Sequence, residues 1–305
     1  MGLLDEVRAT AAAVAQAAQY VRVQTDAIEA YAASLPLSEL QNPELDAATH
    51  YLGAPEATLA YVVTLDAINF GSGYFPKLTK RAGLSGYFTV AASLKDLYEA
   101  QGPLSAAHLQ GLSASTCAQI FGQTDNPDAG VMELMGLFSA ALNDLGHYVA
   151  SQFGGSFQSL VAQADNSAER LVSLLKEMPF YQDVGFYKRA QLTAADLSVA
   201  RVAEFGDLDR LTIFADNLVP HVLRLDGILD YEPGLLERVE REELIPAGST
   251  EEREIRACAL HAVELIAAVL GHKVTSMQLD YLLWNRGQLS AYKARPRHRT
   301  RTVFY

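Results

Sequence analysis

Lys188 and Asp216 are charged residues that each stand where a helix is expected to start. Apolar residues recur three or four apart between Leu192 and Val202, which predicts an amphipathic helix that stops near Gly206. An Asp at the start of a second helix accepts hydrogen bonds from free backbone N–H groups and stays ionised. On spacing alone, a helix cap and a solvated lysine are the commoner explanations. The alternative is a catalytic carboxylate accompanied by a lysine.

Asp66 and Asn69 lie three residues apart near the end of an apolar helix, so they share one face. Phe70 follows one turn after Asp66, and a Gly-Ser-Gly turn at 71–73 then breaks the helix. A carboxylate, an amide and a ring on one wall suit a pocket for a planar base. Alternatively, the polar side chains satisfy the helix end and the glycine turn. The residues alone leave these two readings open.

Five segments resemble the queuosine salvage family, the queuosine 5'-phosphate N-glycosylases. They are Leu-Asp-Ala-Ile-Asn-Phe at 65–70, Phe-Tyr-Lys-Arg-Ala-Gln at 186–191, Phe-Ala-Asp-x-x-x-Pro at 214–220, Val-Glu-Leu-Ile at 263–266 and His-Arg-Thr-Arg-Thr-Val-Phe-Tyr at 298–305. The resemblance implies a mainly α fold, a helical bundle similar in core to helix-hairpin-helix DNA glycosylases, with at most a short β element. This chain lacks the Gly-rich hairpin of those DNA enzymes. The implied activity is hydrolysis of queuosine 5'-phosphate to queuine and ribose 5-phosphate.

The resemblance also implies roles for individual residues. Asp216 is expected beside C1' of the ribose, where a carboxylate favours the positive charge that develops as the glycosidic bond breaks. Lys188 is expected to assist the leaving base, hold the phosphate or orient Asp216. Asp66 would accept from the base edge or from the ammonium of queuine, since both need an acceptor anion. The expected substrate-binding residues are Asp66, Asn69, Phe70, Ser72, His50, Arg299 and Tyr305.

Positive charge is concentrated in two places in this acidic chain, whose formal net charge is −12. Lys77, Lys80 and Arg81 follow the glycine turn, and residues 295–301 form the densest cluster. A 5'-phosphate needs such groups, although a solvated basic face is the commoner explanation. Residues 303–305 are Val-Phe-Tyr, apolar enough to dock, so an ordered tail near the phosphate is expected.

Length and composition bound the remaining possibilities. With 305 residues, half of them hydrophobic, the chain suits one large helical domain or two interlocked lobes, 1–122 and 131–305. No membrane span or secretory signal is expected. Cys117 and Cys258 predict buried thiols in a reducing compartment, the cytoplasm. The acidic balance disfavours a long nucleic acid.

Neither a metal nor a cofactor is expected, because the histidines and cysteines lack ligand spacing and the Gly-x-Gly at 71–73 follows a helix instead of a strand. The oligomeric state is not predicted. Two alternative functions remain: a glycosylase acting on a flipped-out nucleic-acid base, and a non-catalytic binder of a modified nucleoside. A turnover assay separates the second from the enzyme.

Helices are expected along most of the chain, and their predicted ranges are 3–34, 56–70, 92–100, 105–110, 113–121, 130–149, 156–163, 167–177, 233–243, 250–271 and 275–286. The best strand candidate is Ser-Gly-Tyr-Phe-Thr-Val at 85–90. Alternating strands and helices, as in a doubly wound sheet, are absent from the pattern.

Overall fold

Helices form most of the structure, a computed structural model that describes residues 2–40 and 43–305. The helices are α1 (Leu3–Ala17), α2 (Ile28–Ser34), α3 (Pro55–Asp66), α4 (Gly86–Gln101), α5 (Ala106–Gln110), α6 (Ala114–Ile120), α7 (Ala129–Phe153), α8 (Phe157–Ala162), α9 (Ala168–Leu175), α10 (Lys188–Val199), α11 (Val219–Leu225), α12 (Pro233–Glu240), α13 (Thr250–Val269), α14 (Ser276–Gly287) and α15 (Ser290–Lys293). Strands β1 (Val21–Val23) and β2 (Leu229–Tyr231) pair antiparallel, with Val21 opposite Tyr231. The predicted mainly α fold class is confirmed.

Many helices begin at a serine or threonine whose side chain accepts from a backbone N–H of the first turn. Ser85 accepts from Phe88 N before α4, and Ser249 accepts from Glu252 N before α13. Such caps satisfy N–H groups that have no partner within the helix, and each contributes about 1 kcal/mol. The predicted helix at 250–271 therefore begins where the sequence indicates.

The single helix predicted over 3–34 is wrong. Helix α1 ends at Ala17, and β1 follows before α2. The buried carboxylate of Glu254 accepts from the backbone N–H groups of Gln19, Tyr20 and Val21, at 3.0, 2.6 and 3.1 Å. These amides cannot then continue the helix, because their hydrogens are already committed to α13.

The strand predicted at 85–90 is also wrong, because these residues form the N-cap and first turn of α4. Gly86 lies directly under the ring of Phe75, and a Cβ atom at position 86 would lie 2.5 Å from the Phe75 Cγ. The aromatic and β-branched residues that favoured a strand are instead partly or fully buried on the helix. Tertiary packing thus overrides local propensity.

Two clusters of buried hydrophobic side chains hold the fold together. The first core is built mainly from α3 to α10, and the second core from α1, α2, β1, α11, β2, α12, α13 and α14. Each core takes residues from before and after the loop at 122–130. The single helical domain and its division into lobes at that loop stay predictions. Within the described residues, no helix combines the length and apolar character needed to cross a bilayer.

The segment from Leu211 to Ala215 runs between the two cores. Leu211 and Phe214 pack in the first core, whereas Ile213 and Ala215 pack in the second. From Ile213 to Ala215 successive side chains turn to opposite cores, as in an extended chain, so one short segment serves both cores. Asp216 follows immediately, at the boundary between them.

Candidate active site

A cavity of about 810 Å³ opens at this boundary. The side chains that line it come from the turn after α3, from α4, α10 and α14, and from the segments around His50, Asp216 and Arg297. Of the residues predicted for the site, those that line the cavity are His50, Asn69, Phe70, Ser72, Lys188, Asp216, Arg299 and Tyr305, together with Lys80 of the basic group after the glycine turn. Asp66 is fully buried behind the wall that Asn69 and Phe70 form.

Lys188 is the first residue of α10, and its side chain is buried except where it meets the cavity. Its backbone N–H donates to Asp183 Oδ2 at 3.1 Å, and its ammonium donates to the Asn69 carbonyl at 3.4 Å. Burial lowers the pKa of the Lys188 ammonium, while the nearby charge of Asp216 and Asp66 raises it. The lysine is therefore held beside two carboxyl groups in a poorly hydrated place.

Asp216 accepts hydrogen bonds at the start of α11, which agrees with the simpler interpretation of the sequence, although the N-cap position itself is Leu218. Its Oδ1 accepts from Leu218 N at 2.7 Å and from Val219 N at 3.3 Å. Among the described residues, the hydrogen bonds to the Asp216 side chain involve only Oδ1. Oδ2 is left to interact with a ligand in the cavity, so one carboxylate can both hold the start of α11 and take part in catalysis.

Further carboxyl groups surround Lys188. Burial raises the pKa of Asp66 to about 7, and its Oδ2 has no hydrogen-bond partner among the described residues. Burial, together with the charge of Asp66, raises the pKa of the cavity-lining Asp196 well above its usual range. Burial and the charge of Asp216 raise the pKa of Asp280 to about 8. Burial and mutual repulsion therefore favour the protonated forms of these carboxyl groups, while the charges of Lys188 and Arg189 oppose that effect at Asp66.

Asp196 is a functional candidate that the sequence analysis missed. Lys188, Leu192 and Asp196 are spaced by four residues on α10 and all line the cavity. That spacing places them on one helix face, so it is the signal that could have identified Asp196. Its Oδ1 lies 3.5 Å from the hydroxyl of Tyr281 on α14.

Aromatic side chains supply the apolar part of the cavity. Tyr87 and Phe88 on α4 and Trp284 on α14 line it, and the Phe88 and Trp284 rings meet edge to face at 6.1 Å. His50 Nε2 lies 3.0 Å from the Tyr87 hydroxyl, and burial lowers the pKa of this histidine. A neutral imidazole among rings is suited to packing against a planar base.

The arginines of the tail differ in their surroundings. Among the described residues, Arg295, Arg299 and Arg301 each pair with a glutamate, and Arg299 does so with Glu242. Arg297 has no such partner there, and its side chain is exposed within the cavity. Enclosure by protein lowers the pKa of its guanidinium, and the charge of Asp216 raises it. Arg297, which the prediction passed over, is thus the tail arginine available to an anion.

The predicted docking of the tail is confirmed. Gly71 N donates to the Tyr305 carbonyl at 3.0 Å, and Ile245 N donates to the Arg299 carbonyl at 2.8 Å. A Cβ atom at Gly73 would lie 2.3 Å from the Thr300 carbonyl oxygen, so this close approach requires glycine. The glycine turn after α3 is therefore the surface against which the tail packs.

Comparison with known proteins gives one consistent answer. A family model described as queuosine salvage protein matches residues 49–305. A protein of Sphaerobacter thermophilus named queuosine 5'-phosphate N-glycosylase/hydrolase is 36% identical over 319 aligned residues, covering 98% of this chain and 97% of that protein. Proteins of the same name from Mus musculus and Dictyostelium discoideum are 32% and 31% identical, covering 83% and 82% of this chain and 83% and 79% of their own.

Proposed function

The chain belongs to the queuosine salvage protein family, and from that premise we propose that it hydrolyses the N-glycosidic bond of queuosine 5'-phosphate. The products are queuine and ribose 5-phosphate. The observation that supports this reaction most directly is that Asp216, with one oxygen not engaged in the cap, shares a cavity with Lys188 and with carboxyl groups that keep their protons.

Asp216 is the group that stabilises the transition state in this proposal. As the bond from C1' to the base breaks, its electron pair leaves with the base and the ribose becomes positively charged. A fixed carboxylate beside C1' lowers the energy of that state more than the energy of the substrate. Water then adds to C1', and Asp216 accepts the proton that the water loses.

The leaving base needs a proton in return. A 7-deazapurine has no N7 to protonate, so the proton must reach another edge. Asp196 and Lys188 both line the cavity and both carry a transferable proton. A carboxylic acid that stays protonated near neutral pH is the better matched donor.

Arg297 is the proposed ligand of the 5'-phosphate. Its guanidinium is exposed in the cavity and lacks a carboxylate partner among the described residues. A planar fork of N–H donors matches two phosphate oxygens at once. Asn69 and Phe70, in the turn after α3, and the rings of α4 and α14 are left to hold the base, with Asp66 behind them as a buried acid.

The environment proposed for this reaction is a reducing compartment such as the cytoplasm. Its support is that Cys117 and Cys258 are both free and buried. The formal net charge of −12 favours a free nucleotide over a long nucleic acid as substrate.

The deciding experiment measures queuine release from queuosine 5'-phosphate by the parent chain and by Asp216→Asn. Asn caps a helix about as well as Asp, so the melting temperature should change little. Loss of one well-placed electrostatic group should lower kcat on the order of a hundred- to a thousand-fold. Asp230→Asn, an exposed position in β2, is the matched control and should keep full activity.

Three results would contradict the proposal. Turnover by Asp216→Asn within a few-fold of the parent would remove Asp216 from the chemistry. Tight binding of the nucleotide without any release of queuine would identify a non-catalytic binder. Base release from duplex or single-stranded nucleic acid, in preference to the free nucleotide, would identify a nucleic-acid glycosylase.

A further inference from the structure

Arg256 is a buried arginine of α13 that lies behind the cavity and does not line it. Its Nε donates to the Ala215 carbonyl at 2.8 Å. Its Nη1 and Nη2 donate to Asp183 Oδ1 and Oδ2 at 2.9 and 2.6 Å. Its Nη1 also lies 3.4 Å from Oε1 of Glu252, one turn earlier on α13. Beyond its own helix, the guanidinium thus binds two chain segments that are separate in sequence, one through a carboxylate and one through a buried carbonyl.

Each partner of Arg256 adjoins one of the two central residues of the site. Asp183 Oδ2 also accepts from the backbone N–H of Lys188 at 3.1 Å. Ala215 directly precedes Asp216. Because the guanidinium is planar and its donors are fixed relative to one another, the positions of the two backbones are fixed relative to one another as well.

The backbone before Lys188 depends on this support. Tyr187 has a φ of 48°, a left-handed conformation that is strained for a residue with a side chain. The Asp183 carbonyl accepts from Phe186 N and Tyr187 N at 3.0 and 2.8 Å, which closes the strained turn. Such a conformation costs about 1–3 kcal/mol and persists only when the surrounding structure determines it.

Two rings cover the faces of the guanidinium. The centroid of Phe186 lies 4.0 Å from the Arg256 Cζ, and the centroid of Tyr305 lies 4.6 Å from it. Tyr305 also lines the cavity. Residue 305 of the docked tail therefore packs on the same arginine that holds the other two segments.

We propose that Arg256 is a positioning residue of this site: through Asp183 and the Ala215 carbonyl it sets Lys188 against Asp216, and the rings of Phe186 and Tyr305 hold it in place. The inference rests on the proposed function, because it assigns Arg256 to the geometry of that reaction. Replacement of the Arg256 guanidinium should therefore slow the chemical step more than it weakens the binding of substrate.

The test compares Arg256→Lys with Arg8→Lys. Lysine keeps the positive charge but lacks the planar set of N–H donors that a guanidinium has. Arg8 is the matched control, because it also joins a carboxylate and a carbonyl, Glu264 at 2.9 Å and Arg210 at 2.6 Å, away from the cavity. Both variants should melt at a lower temperature. Arg256→Lys should lower kcat about a hundredfold with KM unchanged, because displacement of reacting groups by about 1 Å has that effect. Arg8→Lys should keep the parent kcat.

Hydrogen exchange gives a second readout that does not need activity. In Arg256→Lys, the backbone amides of 183–188 and of 214–219 should both exchange faster, whereas those of α7 keep the parent rate. If the amides of both segments exchange at the parent rate in Arg256→Lys, the inference is overturned. A kcat of Arg256→Lys equal to that of the parent, when corrected for the folded fraction, also overturns the inference. Absence of queuine release from the parent chain would instead overturn the proposed function, and the exchange result would still decide the role of Arg256.

Asp183→Asn is the second variant if Arg256→Lys does not fold. Its amide oxygen can still accept from Lys188 N–H, but the charged pair with Arg256 is lost. The same fall in kcat and the same two segments of faster exchange are expected, and an unchanged kcat contradicts the inference.

Discussion

Single residues with the same chemistry differ in function because their neighbours differ. Arg297 and Arg299 lie two positions apart in one basic run, and the sequence analysis selected Arg299. In the structure Glu242 neutralises Arg299, whereas Arg297 is open to the cavity. The pairing glutamate lies 57 positions away, so no local pattern in the run could indicate which arginine stays available.

We predict that Arg297→Gln raises KM for queuosine 5'-phosphate at least about tenfold, because hydrogen bonds to charged groups contribute ~1.5–3 kcal/mol. Affinity for the nucleoside without phosphate should change little. Arg299→Gln is the matched control, and its KM should stay within a few-fold of the parent. Steady-state kinetics on both substrates checks this, and an equal loss in the two variants would contradict it.

The site residues show which features of the site can be predicted from the spacing of residues in the sequence. The spacing of Asp66, Asn69 and Phe70 predicts that they share one helix face, and this is wrong, because α3 ends at Asp66. Asn69 and Phe70 lie just beyond the helix and line the cavity. Periodicity does not tell which side chain faces the cavity and which lies behind the wall. That distinction, which leaves Asp66 fully buried, depends on α10 packing against α3.

At the scale of elements, α14 fixes the segment that leads to Asp216. Asp280 Oδ1 accepts from Phe214 N at 2.9 Å, two residues before Asp216. The same carboxyl is buried, and burial together with the charge of Asp216 raises its pKa to about 8. The hydrogen bond that holds the segment is therefore made by a group that resists ionisation.

Asp280→Asn should remove a pH-dependent loss of stability. The pKa of an unfolded Asp is about 3.9, so between that pH and about 8 the folded state holds a proton that the unfolded state has lost. Folded protein that binds more protons loses stability as pH rises, by up to ~1.4 kcal/mol for each pH unit. Asn keeps the acceptor oxygen and has no proton to lose.

The free energy of unfolding of Asp280→Asn, relative to the parent, should thus increase from pH 5 to pH 8 and level off above it. Urea unfolding at several pH values measures the difference, with exposed Asp230→Asn as the control. A difference that does not vary with pH would show that Asp280 ionises in the folded protein as it does in the unfolded chain.

Elements were predictable where their signals are local. The Ser249 cap and the apolar periodicity give α13 within a few residues. The break after Ala17 was not predictable, because the carboxylate that causes it lies on Glu254, 235 positions from the first amide that it binds. Residues 85–90 carry strand-forming side chains, and the Ser85 cap, which accepts from Phe88 N, is the local signal that the strand prediction overlooked.

At the scale of the whole molecule, the site lies where two hydrophobic cores meet. The apolar positions of the chain indicate that a large core exists, but not that it divides into two. Residues 213–215 send successive side chains to opposite cores, so the segment that leads to Asp216 is packed on both sides. A site at such a boundary combines groups from distant segments while its backbone stays buried and rigid.

The second core also depends on residues outside the family match. Val7, Val21 and Ile28 pack in it, although the match begins at residue 49. We predict that a fragment of residues 49–305 aggregates, because α13 would expose the apolar face that α1 and β1 cover. Size-exclusion chromatography and thermal unfolding test this. A monodisperse fragment with the parent melting temperature would contradict it.

The hydrogen bonds from the amides of 19–21 to Glu254 have a further consequence for how the family is compared. Val21 packs its side chain in the second core, but the hydrogen bonds themselves use backbone N–H groups, which any residue except proline supplies. Such a contact tolerates sequence drift in 19–21 as long as the acceptor stays at 254. Relatives can therefore keep the same N-terminal architecture after its sequence has diverged beyond detection, and an acidic residue at the position of Glu254 is its marker.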